Sequence, residues 1–483
     1  MTAKALLRGF SFTLQYGTAP LPVRLSITDV VTDAETATPS SCFVCTQTVL
    51  KNGHYDAPVA YQNGCRLFVA ERGLSLPSDA TVLIAENTKD FLGPLAAKCY
   101  RFPATHLRAV GITGTYGKSA VVLQCAAALS RLGKRVGVIS TDGVEYDGNY
   151  FPAGPVAPDA ADIQRTLFKF CQHGVDVAFI ELSAYQLANG AAEGLALDTT
   201  LLTNLSPHHI GRGLHRSFED YRAAKQRLLQ AKSRHQILPI GEKELATHRH
   251  PITFGQESGD YTAKDAALLM GKDGAPAFSF TLSNFAKRCH ILSPVPTLYG
   301  VENTLASAAL LCALGIPLAK AAAALSASCP RYRTECIYHE EGRWIFLDTA
   351  YTGEDAERVL RALRPLAQNR LSVVLGSVGG RARERRAPLG AAALSLADFC
   401  FFTEDDADME SPTDIIRDML RDAPDTALHY EIIPDRQKAI ATAVRELRRG
   451  DVLLILGKAA PYQWRQGQKH PFSDKETALS YLP

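Results

Sequence analysis

One segment constrains this chain more than any other: Gly111-Ile112-Thr113-Gly114-Thr115-Tyr116-Gly117-Lys118-Ser119. The apolar run Leu107–Thr113 before it reads as a buried strand, and Lys118–Arg131 reads as a helix with apolar residues on most sides. Glycines let a strand turn sharply into a helix and bring backbone N–H groups to one point, where the positive end of the helix adds to them. Such a turn suits phosphate oxygens. Lys118 would reach the outer phosphates of a nucleotide, and the Ser119 hydroxyl would hold Mg2+. The strict G-x-x-x-x-G-K-[S/T] spacing is not met, because Ile112 stands where its first glycine belongs. The plain alternative is a glycine-rich turn that binds nothing.

The rest of the chain fits the same architecture. Short apolar runs at Arg135–Ser140, Val175–Leu182 and Thr199–Thr203 alternate with helical stretches at Ala161–Cys171 and Phe218–Ala231. That rhythm predicts a parallel sheet covered on both faces. It restarts near residue 330, with strands at Trp344–Asp348, Leu371–Gly376, Phe399–Thr403, His429–Ile433 and Val452–Leu456, and helices at Gly353–Leu366, Ser411–Leu420 and Asp435–Arg448. Before residue 103, runs at Val23–Ile27, Cys42–Val49, Arg66–Ala70 and Thr81–Ile84 predict a small α/β domain, and Pro103 marks a hinge. The expected fold is α/β in three domains: 1–103, a small α/β domain; 104–329, a phosphate-loop domain with a parallel sheet; and 330–483, a Rossmann-like domain.

The formal net charge of +2 gives no pull toward nucleic acid or a membrane surface. The one basic cluster, Arg381–Arg386, reads equally as a solvated loop or an anion contact. No stretch approaches the roughly 18 apolar residues of a spanning helix, and the N-terminus lacks a leader pattern, so a cytoplasmic location is expected. The 11 cysteines are odd in number and scattered, which argues against a disulfide framework. Cys42 and Cys45 form a C-x-x-C pair with no second pair to complete a zinc site. On a strand, residues three apart face opposite sides, so a structural role is expected for both.

The loop resembles the G-T-x-G-K-[S/T] signature of the Mur ligases, which join amino acids to peptidoglycan precursors. The resemblance runs nearly the length of the chain and is strongest to the MurE type. It implies an ATP-dependent acid–amino-acid ligase that works through an acyl-phosphate, with a UDP-linked muramyl peptide and a free amino acid as substrates. Gly114, Thr115, Gly117, Lys118 and Ser119 would bind ATP. Glu181-Leu182-Ser183 resembles E-[V/L]-S, which makes Glu181 a Mg2+ ligand and brings Ser183 to the substrate. Thr203-Asn204-Leu205-Ser206-Pro207-His208-His209-Ile210 resembles T-N-L-S-x-D-H-L, which implies a catalytic, metal-associated His209. Tyr221-Arg222-Ala223-Ala224-Lys225 resembles Y-x-x-A-K, whose lysine is carbamylated and supports a second Mg2+. A carbamate would turn the cationic Lys225 into an oxygen ligand suited to a hard cation. Asn303 matches an adenine contact, Arg333 the R-x-E segment and Asp348 a ribose contact, while Arg381 fits the glycine-rich turn of the last domain. A monomer is expected.

The departures fall at the substrate ends. The family's T-D-S-R segment, which contacts uridine, reads Thr28-Asp29-Val30-Val31, leaving Asp29 as the polar candidate. Its T-T-P segment reads Val156-Ala157-Pro158, with two hydroxyl donors lost. The D-N-P-R segment, whose arginine grips the distal carboxylate of meso-diaminopimelate, reads Asp405-Asp406-Ala407-Asp408. Asp408 in place of that arginine would repel a carboxylate and attract an ammonium, so lysine or another diamino acid is expected. An acidic loop contacting nothing is the bland reading. Two further readings stay open: a divergent ligase acting on a different carboxylate, and a nucleotide-binding paralogue without catalysis.

Overall fold

Four short apolar runs near the N-terminus line up as a parallel sheet in the order Thr81–Ile84, Leu67–Ala70, Ser41–Val44, Asp29–Val31, with the two-residue strand Thr13–Leu14 antiparallel at one edge. The computed structural model of the 483-residue chain describes all residues except 23, 49–50, 155–156, 208–214, 271–273, 286, 381, 424–428, 459–460 and 483. Helix Gly53–Gln62 covers one face of this sheet through Ala57 and Ala60, and helix Thr88–Cys99 covers the other through Phe91, Leu92 and Leu95. Cys42 packs in the second of these cores and Cys45 in the first, as alternation along a strand requires. Burial pushes both thiols up, away from the reactive thiolate. Residue 23 of the expected strand at 23–27 lies outside the described residues, and 24–27 form no strand. Ser26 makes a lone bridge to Thr2, and pairing with the sheet starts at Asp29.

The chain folds as two units, 1–260 with 309–316, and 261–308 with 317–483. In the first, the phosphate-loop strand Arg108–Thr113 is central. Val177–Glu181 flanks it on one side and Leu197–Leu202 on the other, all parallel. The sheet extends through Ser233–Pro239 and Ile252–Gly255 beyond the latter, and through Val136–Ser140 beyond the former. Two antiparallel strands, Gly143–Tyr146 and Asn149–Pro152, complete the second edge. Register places Glu181 opposite Ile112 and Leu202 opposite Thr113. Three carboxyl ends therefore stop side by side, which is where ligands bind in open α/β sheets.

The second unit holds an antiparallel meander, Tyr261–Met270, Pro276–Asn284 and Lys287–Ser293. Its six-stranded sheet runs Arg333–Tyr338, Trp344–Asp348, Val452–Leu456, Leu371–Leu375, Phe399–Phe402, Tyr430–Ile432, parallel except for the first strand. Helices Gly353–Leu363, Arg386–Leu396 and Pro412–Leu420 bury their apolar stripes on one face. Arg436–Arg445 and Asp474–Ser480 cover the other. The doubly wound arrangement expected from the sequence is present. A hairpin at Tyr462–Arg465 and Gln468–Pro471 is an addition that the apolar pattern did not signal.

Candidate active site

The phosphate loop leaves the central strand through Gly114 at φ +151°, a conformation closed to side chains. A Cβ there would lie 1.8 Å from Thr203 Oγ1. Gly117, at φ +78°, opens the helix Lys118–Arg131 in the left-handed region. Its neighbour strand then holds the loop in shape. Asn204 accepts the Tyr116 N–H on Oδ1 at 2.9 Å and donates from Nδ2 to the Tyr116 carbonyl at 3.0 Å. Its own carbonyl accepts the Thr115 N–H at 3.1 Å. Thr203 Oγ1 donates to the same Tyr116 carbonyl at 2.6 Å, and the Ser206 N–H reaches Thr115 Oγ1 at 3.1 Å. Thr203 and Asn204 thus grip Tyr116 through its backbone N–H and carbonyl.

Charged groups converge on this frame. Lys118 Nζ lies 3.2 Å from the Gly114 carbonyl and 3.1 Å from that of Thr115. Ser119 Oγ donates to Glu181 Oε2 at 2.9 Å, and the Thr141 N–H approaches the same oxygen at 3.4 Å. A hydroxyl and a carboxylate so placed offer oxygen ligands to a hard cation. Among the described residues no three His, Cys, Asp or Glu side chains form a metal cage. Sites for Mg2+ with a nucleotide use few protein ligands, and the glycine cradle, helix N-terminus and Ser119–Glu181 pair fit that group.

Lys225 is 2% exposed. Helix Phe218–Gln230 turns Tyr221, Ala224, Lys225 and Leu228 inward, the i, i+3, i+4, i+7 stripe of a core-facing helix. The lysine therefore occupies a position that should be apolar. Its Nζ donates to the Gly114 carbonyl at 2.5 Å and lies 4.5 Å from the centre of the Tyr221 ring. Burial, with the Lys118 charge beside it, holds its pKa well below the usual lysine range, against the pull of Glu181. A neutral amine is the form that can take up CO2. Tyr221 is buried too, and its hydroxyl donates to Thr115 Oγ1 at 3.2 Å.

The structure thus brings together Gly114, Thr115, Gly117, Lys118, Ser119, Glu181 and Lys225. His209 lies outside the described residues, as does Arg381. Asp29 is engaged elsewhere: Arg165 Nη2 donates to it at 2.9 Å, and Tyr100 hydrogen-bonds it. Ser183 caps the short helix Ala184–Ala188, with Gln186 completing a capping box.

In the second unit, Asp348 ends its strand buried. Its Oδ2 accepts the Thr334 N–H at 2.7 Å and the Thr334 hydroxyl at 2.9 Å, and its Oδ1 accepts the Ala350 N–H at 2.8 Å. Burial raises its pKa, with the Arg333 charge opposing. Arg333 is its ladder partner. Tyr299 reaches the Thr334 hydroxyl at 2.7 Å, and Asn303 follows four residues later on the same helix, Leu298–Ala313.

The acidic segment 404–408 follows strand Phe399–Phe402. Lys458 Nζ lies 2.5 Å from Asp406 Oδ1 and 3.7 Å from Asp405 Oδ1. Arg465 pairs with Glu404, whose pKa burial raises against that arginine. Asp408 is exposed, and its Oδ1 accepts the Gly467 N–H of the hairpin at 2.8 Å. Beneath the segment, the fully buried Arg436 forms a two-point pair with Asp474, at 2.8 and 2.6 Å, and donates to the carbonyls of Leu456 and Glu404. Burial alone would pull its pKa down, but Asp474 holds it above the ordinary value. Thr203, Asn204 and Tyr221 stand in segments that carry the resemblance, and Arg436 and Lys458 in later landmarks of it, but the contacts they make were not expected from the sequence: the clamp on Tyr116, the bond to Thr115, and the pairs with Asp474 and Asp406.

Comparison with known proteins adds to this geometry. Residues 112–311 match the Mur ligase middle domain, and residues 332–459 match the Mur ligase, glutamate ligase domain. The chain is 30% identical to a UDP-N-acetylmuramoyl-L-alanyl-D-glutamate–2,6-diaminopimelate ligase of Bacillus velezensis, over 94% of this chain and 93% of that protein. It is 28% identical to the enzyme of the same name from Clostridioides difficile, over 95% and 96%. A solved structure of a ligase of that name superposes with a TM-score of 0.67 at 23% identity, covering 100% of this chain and 98% of the other, a likeness of fold.

Proposed function

The chain belongs to the Mur ligase family and is an ATP-dependent, ADP-forming ligase, and on that premise we propose that it adds an amino acid to a UDP-MurNAc-L-Ala-D-Glu-type precursor in peptidoglycan synthesis. The observation that carries the proposal is the convergence of Lys118, Ser119, Glu181 and buried Lys225 on one glycine turn. In this reading ATP lies on the loop, with Asn303, Arg333 and Asp348 as its base and ribose contacts. The acceptor carboxylate attacks the γ-phosphoryl group, ADP leaves, and the amine of the incoming amino acid then displaces phosphate from the acyl-phosphate. Lys118 neutralises charge that develops on the transferring group. Ser119 and Glu181 would hold one Mg2+, and His209 with a carbamate on Lys225 a second, and these ions would add to that neutralisation. The Thr203–Ser206 clamp keeps the donors fixed, so little reorganisation accompanies the reaction. The three functional portions are 1–103, 104–329 and 330–483.

We further propose that the incoming amino acid is lysine or another diamino acid rather than meso-diaminopimelate. Among the described residues Glu404, Asp405 and Asp406 pair with Lys458 and Arg465, Asp408 pairs with neither, and the nearby Arg436 is taken up by Asp474. An excess of negative charge favours an ammonium over a carboxylate. Phosphate release from ATP tests both parts. Release should need the UDP-linked dipeptide and an amino acid together, and should vanish in Lys118→Ala. Lysine should outcompete diaminopimelate, and preference for diaminopimelate sinks the second proposal.

A further inference from the structure

A cavity of about 870 Å3 lies where the first sheet ends its parallel strands. Gln47 and Glu71, from the loops after two of those strands, line it together with Tyr185, Asn189, His215 and Asp220. All belong to the first unit. His215 is 3% exposed, and its Nδ1 is buried with no hydrogen-bond partner among the described residues. The nearest acidic atom is Asp220 Oδ2 at 3.8 Å, too far for a hydrogen bond. A buried ring nitrogen without a partner is costly, and such groups persist where a ligand completes them. Asp220 Oδ2 accepts the Arg216 N–H at 3.0 Å, so the carboxylate is held in place.

His215 is also tied to the phosphate loop. Its ring stands edge-to-face on Tyr221, with centroids 5.2 Å apart and an interplanar angle of 77°. Tyr221 in turn bonds Thr115. The cavity wall and the phosphate-binding turn are one packed assembly. A molecule seated in the cavity is thereby fixed relative to the turn.

We infer that His215 is a positioning residue for the acceptor, and that it works through Nδ1. A hydroxyl of the acceptor bridges the gap, donating to Asp220 Oδ2 and accepting from Nδ1–H. This inference rests on the proposed ligase reading. Its test is steady-state phosphate release with UDP-MurNAc-L-Ala-D-Glu varied and ATP saturating. His215→Ala should raise KM for the acceptor about tenfold or more, with kcat and KM for ATP within about twofold. His215→Asn places an amide nitrogen near the position of Nδ1 and should keep a KM close to wild type. His215→Gln reaches toward the Nε2 position and should behave like the alanine variant. Equal behaviour of the Asn and Gln variants, or an unchanged KM in the alanine variant, overturns the inference alone. Absence of wild-type turnover with this acceptor overturns the ligase reading and the inference with it. A fall in kcat at unchanged KM assigns His215 to the chemistry or the scaffold and also overturns it.

Discussion

Replacing Asp474 by Ala strands the Arg436 charge in the interior of the second unit. The guanidinium is 0% exposed, and two of its four bonds go to Asp474. What remains is two neutral carbonyls, those of Leu456 and Glu404, and the weaker pull of the Asp405 and Asp406 charges, which it does not bond. Breaking a buried pair from one side costs about 3–5 kcal/mol, because the partner charge is left without compensation. For a unit of this size each kcal/mol moves the thermal midpoint by roughly 2–4 °C, so a fall on the order of 10 °C is expected. Scanning calorimetry should show it in one of the unfolding transitions. The double change Arg436→Met with Asp474→Leu removes the charge and fills the space, and should recover most of the loss. The same two carbonyls flank Gly457 and the acidic segment. The single variant should therefore raise KM for the amino acid while leaving that for ATP near wild type. A midpoint shift under about 2 °C, or a double variant no better than the single, refutes the argument.

Three other perturbations address the phosphate loop. Asn204→Ala removes both side-chain bonds to Tyr116 and should raise KM for ATP about tenfold, a cost of about 1–2 kcal/mol read by steady-state kinetics. Gly114→Ala sets a methyl group against Thr203 at a φ that side chains avoid, so Mg-ADP should no longer raise the thermal midpoint. Lys225, its pKa depressed by burial, should be carbamylated at neutral pH. Activity should fall in CO2-depleted buffer and return with bicarbonate, while Lys225→Arg stays inactive under both conditions.

The parallel sheets and the phosphate turn were legible because their signals are local. Apolar runs of fixed length mark the strands, and Gly114, Gly117 and Lys118 stand together. The inward position of Lys225 was also written locally, in its spacing from Tyr221 and Leu228, although a lone lysine on a helix is far more often solvated. What could not be read depends on strand order. Thr203 and Asn204 grip a turn some 90 residues earlier, and only the pairing of Leu197–Leu202 with Arg108–Thr113 makes them neighbours. The hairpin after Pro461 had no clean alternation to announce it, and so its bond to Asp408 was equally hidden. The N-terminal run at 23–27 misled in the opposite direction: its residues look like a strand, yet the described ones, 24–27, make a single bridge, Ser26 to Thr2, and join the sheet only at Asp29.

The clamp on the phosphate turn bears on how portable that turn is. A protein engineer who grafts residues 111–119 onto another strand–helix junction would carry the glycines, the lysine and the serine. The graft would leave behind every side-chain bond that Thr203 and Asn204 make to Tyr116. The smallest transferable piece is the turn together with the end of the adjacent strand, residues 203–206. The side chains of Thr203 and Asn204 are constrained by a turn in which neither of them lies, because their bonds to it end on main-chain atoms of Tyr116.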